Sequence, residues 1–495
     1  MTDLDHRAVR VRFAPSPTGA LHIGGLRTAL FNWLFARRHG GSVVLRIDDT
    51  DRERSSETYL RQILDGFRWL GVTFDEGIEE GGPYGPYRQS ERMPIYRQAL
   101  QRLLDDGKAY PCYCTPEELD ASRKAQLEAG KTPRYAGTCR RLTPEERAAR
   151  EAEGRQPVYR LKVDLDRPIV VRDVIRGDVS FEPEQIDDFV IMKSDGTPTY
   201  HFASCVDDAE MRITHIIRAE EHLSNTPRHV VLFQALGAPV PTFAHVPMIL
   251  APDRTKLSKR HGATSVDEFR ALGFLPEAIV NYSLLLGYAP DENAELFTLD
   301  DLVPTFELER IAKHPAIYDV NKLRWMNGHY LRTLSLRRVY TYAEPFLKAA
   351  GYLSQNPGDD EIALAMARID AVRERVATLI ELTDGVSYFY RSIEAYDETG
   401  VHKHFKNPKE VAERLRYAAE RLETVEPWDL EQTEQAYRGL IDELGISGGA
   451  LIHPTRLALS GRTVGPGLFH IMVLLGKAET IRRLRKAVQW LEARA

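Results

Sequence analysis

Hydrophobic positions near the start of the chain first alternate and then take a helical spacing. Every second residue from Val9 to Phe13 is apolar, which predicts a strand that ends before Pro15. From Leu26 to Leu34 apolar residues recur every three or four positions and a Gly-Gly pair follows, which predicts an amphipathic helix. The apolar run "SVVLRID" (residues 42–48) predicts a second strand. This order of elements predicts a βαβ unit with a parallel sheet.

The alternation of strands and helices is interrupted once and later ends. A charged, cysteine-containing stretch begins near Asp106, which suggests an inserted domain. The alternation resumes with "TPTYHFASCVDD" (residues 197–208), and "FAHVPMIL" (residues 243–250) is the last strand before the loop "APDRTKLSKRHG". After about Asn327 only helical patterns remain, and the last helix carries an apolar stripe of Ile481, Leu484, Val488 and Leu491.

Composition places the chain among ordinary folded proteins. Its 495 residues are 43% hydrophobic, 28% charged and 9% aromatic, which suits three or more domains of about 100–200 residues each. The sequence has no apolar run of about 18 residues, no N-terminal signal peptide and too few cysteines for a disulfide framework. We therefore expect a cytosolic (cytoplasmic) protein with no membrane partner.

Charge changes this picture only locally. The chain carries a net charge of −6 at pH 7, which weakly disfavours a nucleic-acid partner, although RNA binding needs only a local basic surface. From Lys477 to Ala495 there are six Lys and Arg residues against two Glu. This tail is either a solvated helix face or a contact for RNA, and the tail alone favours the first interpretation.

A glycine-rich turn, "PSPTGALHIGG" (residues 15–25), joins the first strand to the helix. Glycines let a backbone approach a ligand closely, and the N-terminus of a helix favours anions. A histidine in this turn, His22, is able to donate a hydrogen bond to a phosphate oxygen and to carry charge beside it. The alternative is a helix-capping turn in which the histidine is incidental.

A second cluster of polar residues follows the last predicted strand. Lys256, Lys259 and Arg260 surround Ser258 in the sequence "KLSKR". Such a cluster suits a polyphosphate, with lysine as a mobile point charge. On its own such a cluster is more often a solvated loop. Its pairing with the histidine turn, on the other side of the predicted insertion, is a far more specific signal of a nucleotide site.

Together the two motifs resemble the two signatures of class I aminoacyl-tRNA synthetases. Six further stretches resemble glutamyl-tRNA synthetases of the bacterial type: "RFAPSPTG", "LRIDDTDRERS", "GPYRQSER", "PTYHFAS", "IRAEEHLSNTPRH" and "KLRWMNGHY". The resemblance extends from Val9 to about Tyr330, and the helical C-terminus is similar in kind. It implies an ATP- and Mg²⁺-dependent ligase that activates glutamate as glutamyl-adenylate and transfers it to the 3′ end of tRNA(Glu).

The resemblance also implies an architecture. We expect an α/β Rossmann-like catalytic domain with an inserted α/β acceptor-stem domain, followed by an all-α C-terminal anticodon-binding region. The implied boundaries are 1–107 and 196–252 for the two halves of the catalytic domain, 108–195 for the inserted domain, 253–330 for the KLSKR loop with a stem-contact domain, and 331–495 for the helical region.

Roles of single residues follow from the same resemblance. His22 and Lys259 match the residues at the α-phosphate and at the departing pyrophosphate, and Gly25 takes the place of a second histidine. The implied ATP-binding residues are Ser16, His22, Gly24, Glu221, Lys256 and Lys259. The implied glutamate-binding residues are Arg12, Ser16, Asp48, Tyr200, Ser204 and Arg218. For the two arginines the alternative is ordinary ion pairing with nearby acidic residues.

The cysteines form a separate pattern. Cys112 and Cys114 are followed, after 24 intervening residues, by Cys139, as in the zinc knuckle of some family members. Arg141 stands at the final ligand position of that knuckle and cannot bind Zn²⁺, whereas Tyr135 matches the tyrosine ligand of the related glutamyl-queuosine synthetases. Structural zinc takes four ligands, so these three cysteines and Tyr135 either bind Zn²⁺ or are plain thiols at a former site.

Three other functions share part of the pattern. Glutamyl-queuosine synthetases lack the C-terminal helices, and small-molecule nucleotidylyltransferases have no use for residues 331–495. A non-catalytic RNA-binding descendant is expected to lose His22 or Lys259, and both are present. The expected partners are ATP, L-glutamate and tRNA(Glu), with charging of tRNA(Gln) left open, and the expected state is a monomer.

Overall fold

The computed structural model describes residues 8–51, 55–290 and 294–495. The first seven residues, for which no signal peptide is predicted, and residues 52–54 of the motif "LRIDDTDRERS" lie outside the described residues. The chain divides into two compact units, Met1–Phe269 with Ile279–Asp319, and Arg270–Ala278 with Val320–Ala495.

The strands are short. They are β1 (Arg10–Phe13), β2 (Ser42–Leu45), β3 (Ala109–Cys112), β4 (Val158–Leu161), β5 (Ile169–Asp173), β6 (Gly177–Phe181), β7 (Val190–Met192), β8 (His215–Ala219), β9 (Thr242–Val246), β10 (Ile249–Leu250) and β11 (Ala316–Ile317).

The helices continue to the end of the chain. They are α1 (Ile23–Arg38), α2 (Glu57–Leu70), α3 (Met93–Asp105), α4 (Pro116–Glu128), α5 (Pro144–Ala152), α6 (Tyr200–Glu210), α7 (Thr226–Ala235), α8 (Val266–Ala271), α9 (Pro276–Leu285), α10 (Leu299–Leu302), α11 (Val320–Thr333), α12 (Leu336–Ala349), α13 (Asp359–Arg373), α14 (Leu379–Gly385), α15 (Glu398–His404), α16 (Pro408–Glu423), α17 (Leu430–Glu443), α18 (Gly448–Ser460), α19 (Leu468–Leu475) and α20 (Lys477–Glu492).

The βαβ unit predicted at the start of the chain is confirmed. β1 and β2 pair in parallel, with Arg10 opposite Ser42, and α1 connects them. The last three residues of each strand are buried, as expected for parallel strands covered on both faces. A Cβ atom on Gly41 would lie 2.3 Å from the carbonyl oxygen of Val9. Only glycine therefore lets the chain enter β2 this close to β1.

A second sheet of the first unit has the strand order β6-β5-β9-β8. β9 pairs in parallel with both β5 and β8, whereas β6 is antiparallel to β5. The Thr214 N–H donates to the Arg10 carbonyl oxygen at 2.9 Å, which brings β8 beside β1. Side chains of α3, α6 and α7 pack with those of β5, β8 and β9 in one apolar core. Ligands of such sheets bind beyond the carboxyl ends of the strands.

The region predicted as an insertion, residues 108–195, contains a third sheet. β3, β4 and β7 form this antiparallel sheet, and a small core of Tyr110, Cys112, Tyr113 and Cys139 lies in the same region. β5 and β6 fall within the same range of residues but extend the sheet of β8 and β9. The boundaries of the inserted domain stay a prediction.

The second unit is helical throughout. In α20 the predicted apolar stripe is confirmed, because Ile481, Leu484, Val488 and Leu491 are all buried. The basic residues of the tail contact other residues of this unit: Lys477 pairs with Glu426, Arg482 and Arg483 with Glu479, Arg485 with Glu423, Lys486 with the Ile393 carbonyl, and Arg494 with Trp490. These contacts favour the helix-face interpretation of the tail.

No helix among the described residues has both the length and the hydropathy needed to cross a membrane.

A buried network of charges lies at the ends of β1 and β2. Its first part joins Arg46, which follows β2, to two aspartates. The Arg46 guanidinium donates from Nη1 to Oδ1 of Asp208 at 2.6 Å and from Nε to Oδ1 of Asp48 at 2.8 Å. Arg12 of β1 donates from Nε to the same Asp208 oxygen at 3.1 Å. All four side chains are buried.

The second part of the network surrounds Asp207, the neighbour of Asp208 on α6. Its carboxylate accepts from Arg92 Nε at 2.6 Å, from Gln89 Nε2 at 2.8 Å and from the Tyr96 hydroxyl at 2.9 Å. Burying an ion is tolerated only when its charge and its hydrogen bonds are matched. The network of three arginines and three aspartates therefore ties β1, β2, α3 and α6 into one arrangement.

We predict that Asp207→Ala destabilises the first unit strongly. The substitution leaves the buried Arg92 without its carboxylate, and breaking a buried pair in this way costs roughly 3–5 kcal/mol of unfolding free energy. Urea denaturation measures the change. Asp65→Ala is the control, because Asp65 forms an exposed ion pair with Arg68 and its loss should leave stability near the wild-type value. Equal losses of unfolding free energy in the two variants would contradict the claim that the buried network stabilises the first unit.

Candidate active site

A cavity of about 650 Å³ opens in the first unit, beside the carboxyl ends of β1 and β8. Every residue that the sequence assigned to ATP or glutamate lines this cavity: Arg12, Ser16, His22, Gly24, Asp48, Tyr200, Ser204, Arg218, Glu221, Lys256 and Lys259. The structure thus brings these residues together from separate parts of the chain. Their roles toward a ligand remain predictions.

His22 sits at the start of α1 and serves as its N-terminal cap. Its Nδ1 accepts a hydrogen bond from the Gly24 N–H at 3.1 Å, so the turn caps α1 through the histidine itself, while the role of His22 toward a phosphate remains a prediction. An accepting Nδ1 leaves the ring proton on Nε2. Burial lowers the pKa of His22 against the opposing effect of Glu268, so the ring is neutral near pH 7. Because His22 also lines the cavity, its Nε2–H is suited to donate to an anionic ligand.

The KLSKR loop contributes two lysines in different states. Lys256 Nζ lies 2.9 Å from Oε2 of Glu221, and both side chains are exposed. This hydrogen bond, with the charge of Lys256, lowers the pKa of Glu221. Among the described residues Lys259 forms no ion pair or side-chain hydrogen bond. Lys259 is therefore available to bind an anion, whereas Lys256 would first have to leave the carboxylate of Glu221.

The predicted ion-pair alternative holds for Arg12. Its Nε donates to Asp208, while its two Nη groups have no hydrogen-bond partner among the described residues. Asp48 is likewise paired, with Arg46. Burial raises the pKa of Asp48 to about 6, although the charge of Arg46 opposes this rise. Both Arg12 and Asp48 face the cavity while the buried network fixes them from behind.

For Arg218 the ion-pair alternative is wrong within the described residues. Arg218 lies on β8 and is 5% exposed, yet its guanidinium forms no ion pair there. Its hydrogen bonds go to His245 at 3.1 Å, to His229 at 3.2 Å and to Thr226 at 2.9 Å, all neutral acceptors. Burial lowers the pKa of Arg218 but leaves it a cation. The cavity wall thus contains a buried positive charge that forms no ion pair with a carboxylate among the described residues.

The remaining predicted residues come from two helices and one turn. Tyr200 and Ser204 are one turn apart at the start of α6, so both side chains lie on the same helix face. The Tyr200 hydroxyl is 3.5 Å from Nδ1 of His222. Ser16 belongs to the turn between β1 and α1, and Gly24 lies in the first turn of α1.

Sequence reasoning missed the residues behind this wall. Arg46, His229, His245 and Asp173 are buried and contact the predicted residues or each other. Arg27 is also buried at the cavity, where burial lowers its pKa to about 9. A polar residue inside an apolar run, such as His245 in "FAHVPMIL", is a signal for the buried partners, but it does not say what they contact.

The predicted metal ligands also converge, away from the cavity. The sulfur atoms of Cys112, Cys114 and Cys139 lie within 4.8 Å of one another. The Tyr135 hydroxyl is 3.3 Å from Cys112 Sγ and 3.8 Å from Cys114 Sγ. Thiolates on a tetrahedral zinc, at bonds of about 2.3 Å, are roughly 3.8 Å apart. The donor set therefore fits a zinc ion, whereas Arg141 is exposed.

Known proteins match the chain over nearly its whole length. Residues 8–325 match the family described as "tRNA synthetases class I (E and Q), catalytic domain", and residues 338–488 match "Anticodon binding domain". The chain is 55% identical over 487 residues to the glutamate–tRNA ligase of Desulforudis audaxviator (strain MP104C), covering 98% of this chain and 97% of that protein. The chain belongs to the glutamate–tRNA ligase family of class I tRNA synthetases.

Further members of the glutamate–tRNA ligase family also match the chain over nearly its whole length. The enzyme of Moorella thermoacetica is 55% identical over 483 residues, covering 98% of each chain. A crystal structure of the glutamate tRNA ligase of Elizabethkingia meningosepticum, in complex with its amino acid, superposes with a TM-score of 0.88 at 35% identity, covering 98% of this chain and 100% of that one. The predicted fold class, including the helical C-terminal region, is confirmed.

Proposed function

We propose that this chain uses ATP to attach L-glutamate to tRNA(Glu) for protein synthesis. An oxygen of the α-carboxylate of glutamate attacks the α-phosphorus of ATP. The bond from this phosphorus to the oxygen that bridges the α- and β-phosphates breaks, so that pyrophosphate leaves. The ribose hydroxyl at the tRNA 3′ end then attacks the activated carbonyl carbon, and AMP leaves. One observation carries the proposal: Arg218, a buried cation without an ion pair in the described residues, lines the same cavity as His22 and Lys259.

His22 and Lys259 act on the phosphates in this proposal. His22 donates its Nε2–H to an α-phosphate oxygen, and the cap to Gly24 keeps the ring in place. Lys259 neutralises the charge that develops on the departing pyrophosphate. The Lys256–Glu221 pair lies beside the nucleotide, where Glu221 is near the ribose. No covalent enzyme intermediate is needed, so these residues act by positioning and by charge stabilisation.

Recognition of glutamate falls to the other half of the predicted residues. Arg12 and Arg218 suit the two carboxylates, since a guanidinium keeps its positive charge and donates charge-assisted hydrogen bonds to a carboxylate. Asp48 suits the ammonium group. Tyr200 and Ser204 supply hydroxyl groups on the same face of α6.

Mg²⁺ is the expected companion of ATP. It neutralises phosphate charge when bound, and phosphates and water commonly supply most of its ligands in such sites. Asp48 and Glu221, the carboxylates among the predicted site residues, are already paired with Arg46 and Lys256. These pairs fit a metal held mainly by the phosphates.

The other regions are assigned to the tRNA. Residues 108–195 bind the acceptor stem, residues 253–330 contact the stem, and residues 331–495 bind the anticodon. The proposed form is a monomer in the cytosol.

Side-by-side charging of purified tRNA(Glu) and tRNA(Gln) with labelled glutamate tests this function. We expect ATP-dependent charging of tRNA(Glu), and the second tRNA decides whether the enzyme also misacylates. No transfer of glutamate to either tRNA would overturn the proposal.

We predict that His22→Asn lowers kcat about 10²–10³-fold, as the loss of one oxyanion-hole donor does. Asparagine keeps an acceptor near the Nδ1 position, so the cap on α1 and the stability are retained. His22→Gln places an amide N–H near the Nε2 position and should recover part of the rate. Unchanged turnover in His22→Asn would remove this residue from the mechanism.

We predict that the pH profile of glutamate use depends on Asp48. Its carboxyl group must be ionised to bind an ammonium, and its pKa is about 6 in the free protein. Since kcat/KM reports groups of the free enzyme, kcat/KM for glutamate should fall about tenfold for each pH unit below this pKa. Asp48→Asn should have low activity and no such slope. A wild-type profile that is flat between pH values of about 5 and 7 would contradict the role of Asp48.

We also propose that Cys112, Cys114, Tyr135 and Cys139 hold a structural zinc ion. The convergence of three sulfur atoms and one hydroxyl group supports this. The alternative, plain thiols at a former site, uses the same residues. The ion would tie the turn after β3 to the loop that contains Tyr135 and would take no part in the chemistry.

Metal analysis of the purified chain distinguishes a bound zinc ion from plain thiols. We expect about one equivalent of zinc, as four protein ligands suit one structural ion, and its loss in Cys112→Ser together with a lower melting temperature. Cys205→Ser is the control, because Cys205 lies outside the cluster and should keep the zinc content unchanged. A metal-free chain whose melting temperature does not respond to a chelator or to added zinc would favour plain thiols.

A further inference from the structure

Arg218 is held by a set of neutral acceptors that the mechanism above does not use. Its Nε donates to His245 Nε2 at 3.1 Å and its Nη1 to His229 Nδ1 at 3.2 Å. Its Nη2 donates to the Thr226 hydroxyl at 2.9 Å and to the His222 carbonyl at 3.2 Å. All three nitrogen atoms of the guanidinium therefore donate to protein acceptors, and this fixes its plane.

The bond from Arg218 determines the proton position on His245. An imidazole nitrogen that accepts a hydrogen bond carries no proton, so the proton of His245 is on Nδ1. That Nδ1–H donates to Asp173 Oδ2 at 2.6 Å. The Asp173 Oδ1 in turn accepts from the backbone N–H groups of Ile175 and Arg176 at 3.0 and 2.8 Å. Asp173 therefore fixes the tautomer in which His245 accepts from Arg218.

The same logic applies on the other side of Arg218. His229 accepts at Nδ1, so its proton is on Nε2, which lies 3.1 Å from Nδ1 of His201. Burial lowers the pKa of His229 far below its ordinary value and the pKa of His201 to about 4. Burial also lowers the pKa of His245 against the opposing effect of Asp173. These histidines are neutral near pH 7, as acceptance from Arg218 requires.

This arrangement orients the cation without neutralising it. Arg12, another arginine of the cavity, shares its charge with Asp208. Had Arg218 been held by a carboxylate in the same way, its charge would be largely neutralised before a ligand arrives. Neutral acceptors instead leave the full positive charge for a carboxylate that enters the cavity.

We propose that Asp173, His245 and His229 are positioning residues for Arg218 and determine the preference for an anionic amino acid over its amide. The inference rests on the proposed function, in which glutamate occupies this cavity. A carboxylate offers a negative charge and a charge-assisted hydrogen bond to the one Nη1–H that the four protein acceptors leave free, whereas an amide group offers no charge. The position of the guanidinium therefore affects glutamate far more than glutamine.

Asp173→Asn tests the tautomer directly. Its oxygen keeps the backbone N–H groups of Ile175 and Arg176 and, at 3.2 Å, that of His245, while its NH₂ group faces the His245 ring and forces Nδ1 to accept. His245 then presents Nε2–H to the Nε–H of Arg218, two donors in opposition. We expect the KM for glutamate to rise about 10-fold or more, as for the loss of other outer-shell partners, with the KM for ATP and the inhibition constant of glutamine nearly unchanged. The measurement is charging of tRNA(Glu) by the full chain near neutral pH.

A matched pair at His229 gives a second test. His229→Asn keeps an acceptor near the Nδ1 position and should keep a KM for glutamate close to the wild-type value. His229→Leu removes the acceptor and should raise that KM as Asp173→Asn does. His215→Gln is the control, because His215 is a largely buried histidine of β8 that bonds Thr214 and has no contact with Arg218. It should leave the KM values unchanged.

The outcomes separate this inference from the proposed function. If the wild-type chain transfers no glutamate to tRNA, the proposed function fails. If it does, and folded Asp173→Asn and His229→Leu keep the wild-type KM for glutamate, the inference is overturned. A parallel rise in the KM for ATP also overturns it, because the effect is then a general loss of structure. Should Asp173→Asn fail to fold, the contrast between the two His229 variants decides.

Discussion

The structure of the first unit depends on the matching of buried charge. Three arginines and three aspartates are removed from water in and behind the cavity wall, and most of their pairs join distant parts of the chain: Arg12 and Arg46 pair with Asp208, and Arg92 pairs with Asp207. The desolvation of such ions costs several kcal/mol apiece unless partners and hydrogen bonds compensate. β1, β2, α3 and α6 therefore have little freedom to shift, and the cavity that they border inherits this rigidity. A site that works by positioning reactants needs such a frame.

Two of the cavity arginines show how the same side chain is held in two electrostatic states. Arg12 belongs to the matched network, with its Nε on Asp208 and its Nη groups toward the cavity. Arg218 is surrounded by imidazole, hydroxyl and carbonyl acceptors. Its burial is tolerated because all these acceptors are satisfied together, and its charge remains for a ligand. Asp48 is a third case. Its carboxylate pairs with Arg46, and its pKa lies near 6.

The first βαβ unit followed from local sequence signals, whereas the residues that line the cavity followed from the resemblance to class I synthetases. The alternation before Pro15, the spacing of apolar residues in α1 and the glycine-rich turn are each contained in a few neighbouring residues, and they predicted the βαβ unit correctly. The partners behind the cavity were not predictable in this way. Asp208 reaches Arg46 across 162 positions and Asp173 reaches His245 across 72, and no local pattern relates them. The state of Arg218 was equally hidden, because an arginine followed by two glutamates suggests an ion pair that the fold does not make.

The set of acceptors around Arg218 has a consequence for the evolution of substrate choice. Replacing this arginine by an uncharged residue would leave several buried acceptors without a donor, at about 1–3 kcal/mol for each unsatisfied group. Folding therefore opposes a single-step change of amino-acid preference at this position. A lineage that exchanges one substrate for another has to replace the histidines, the threonine and Asp173 in concert. Drift toward an uncharged amino acid thus carries a cost in the stability of the chain as well as in its activity.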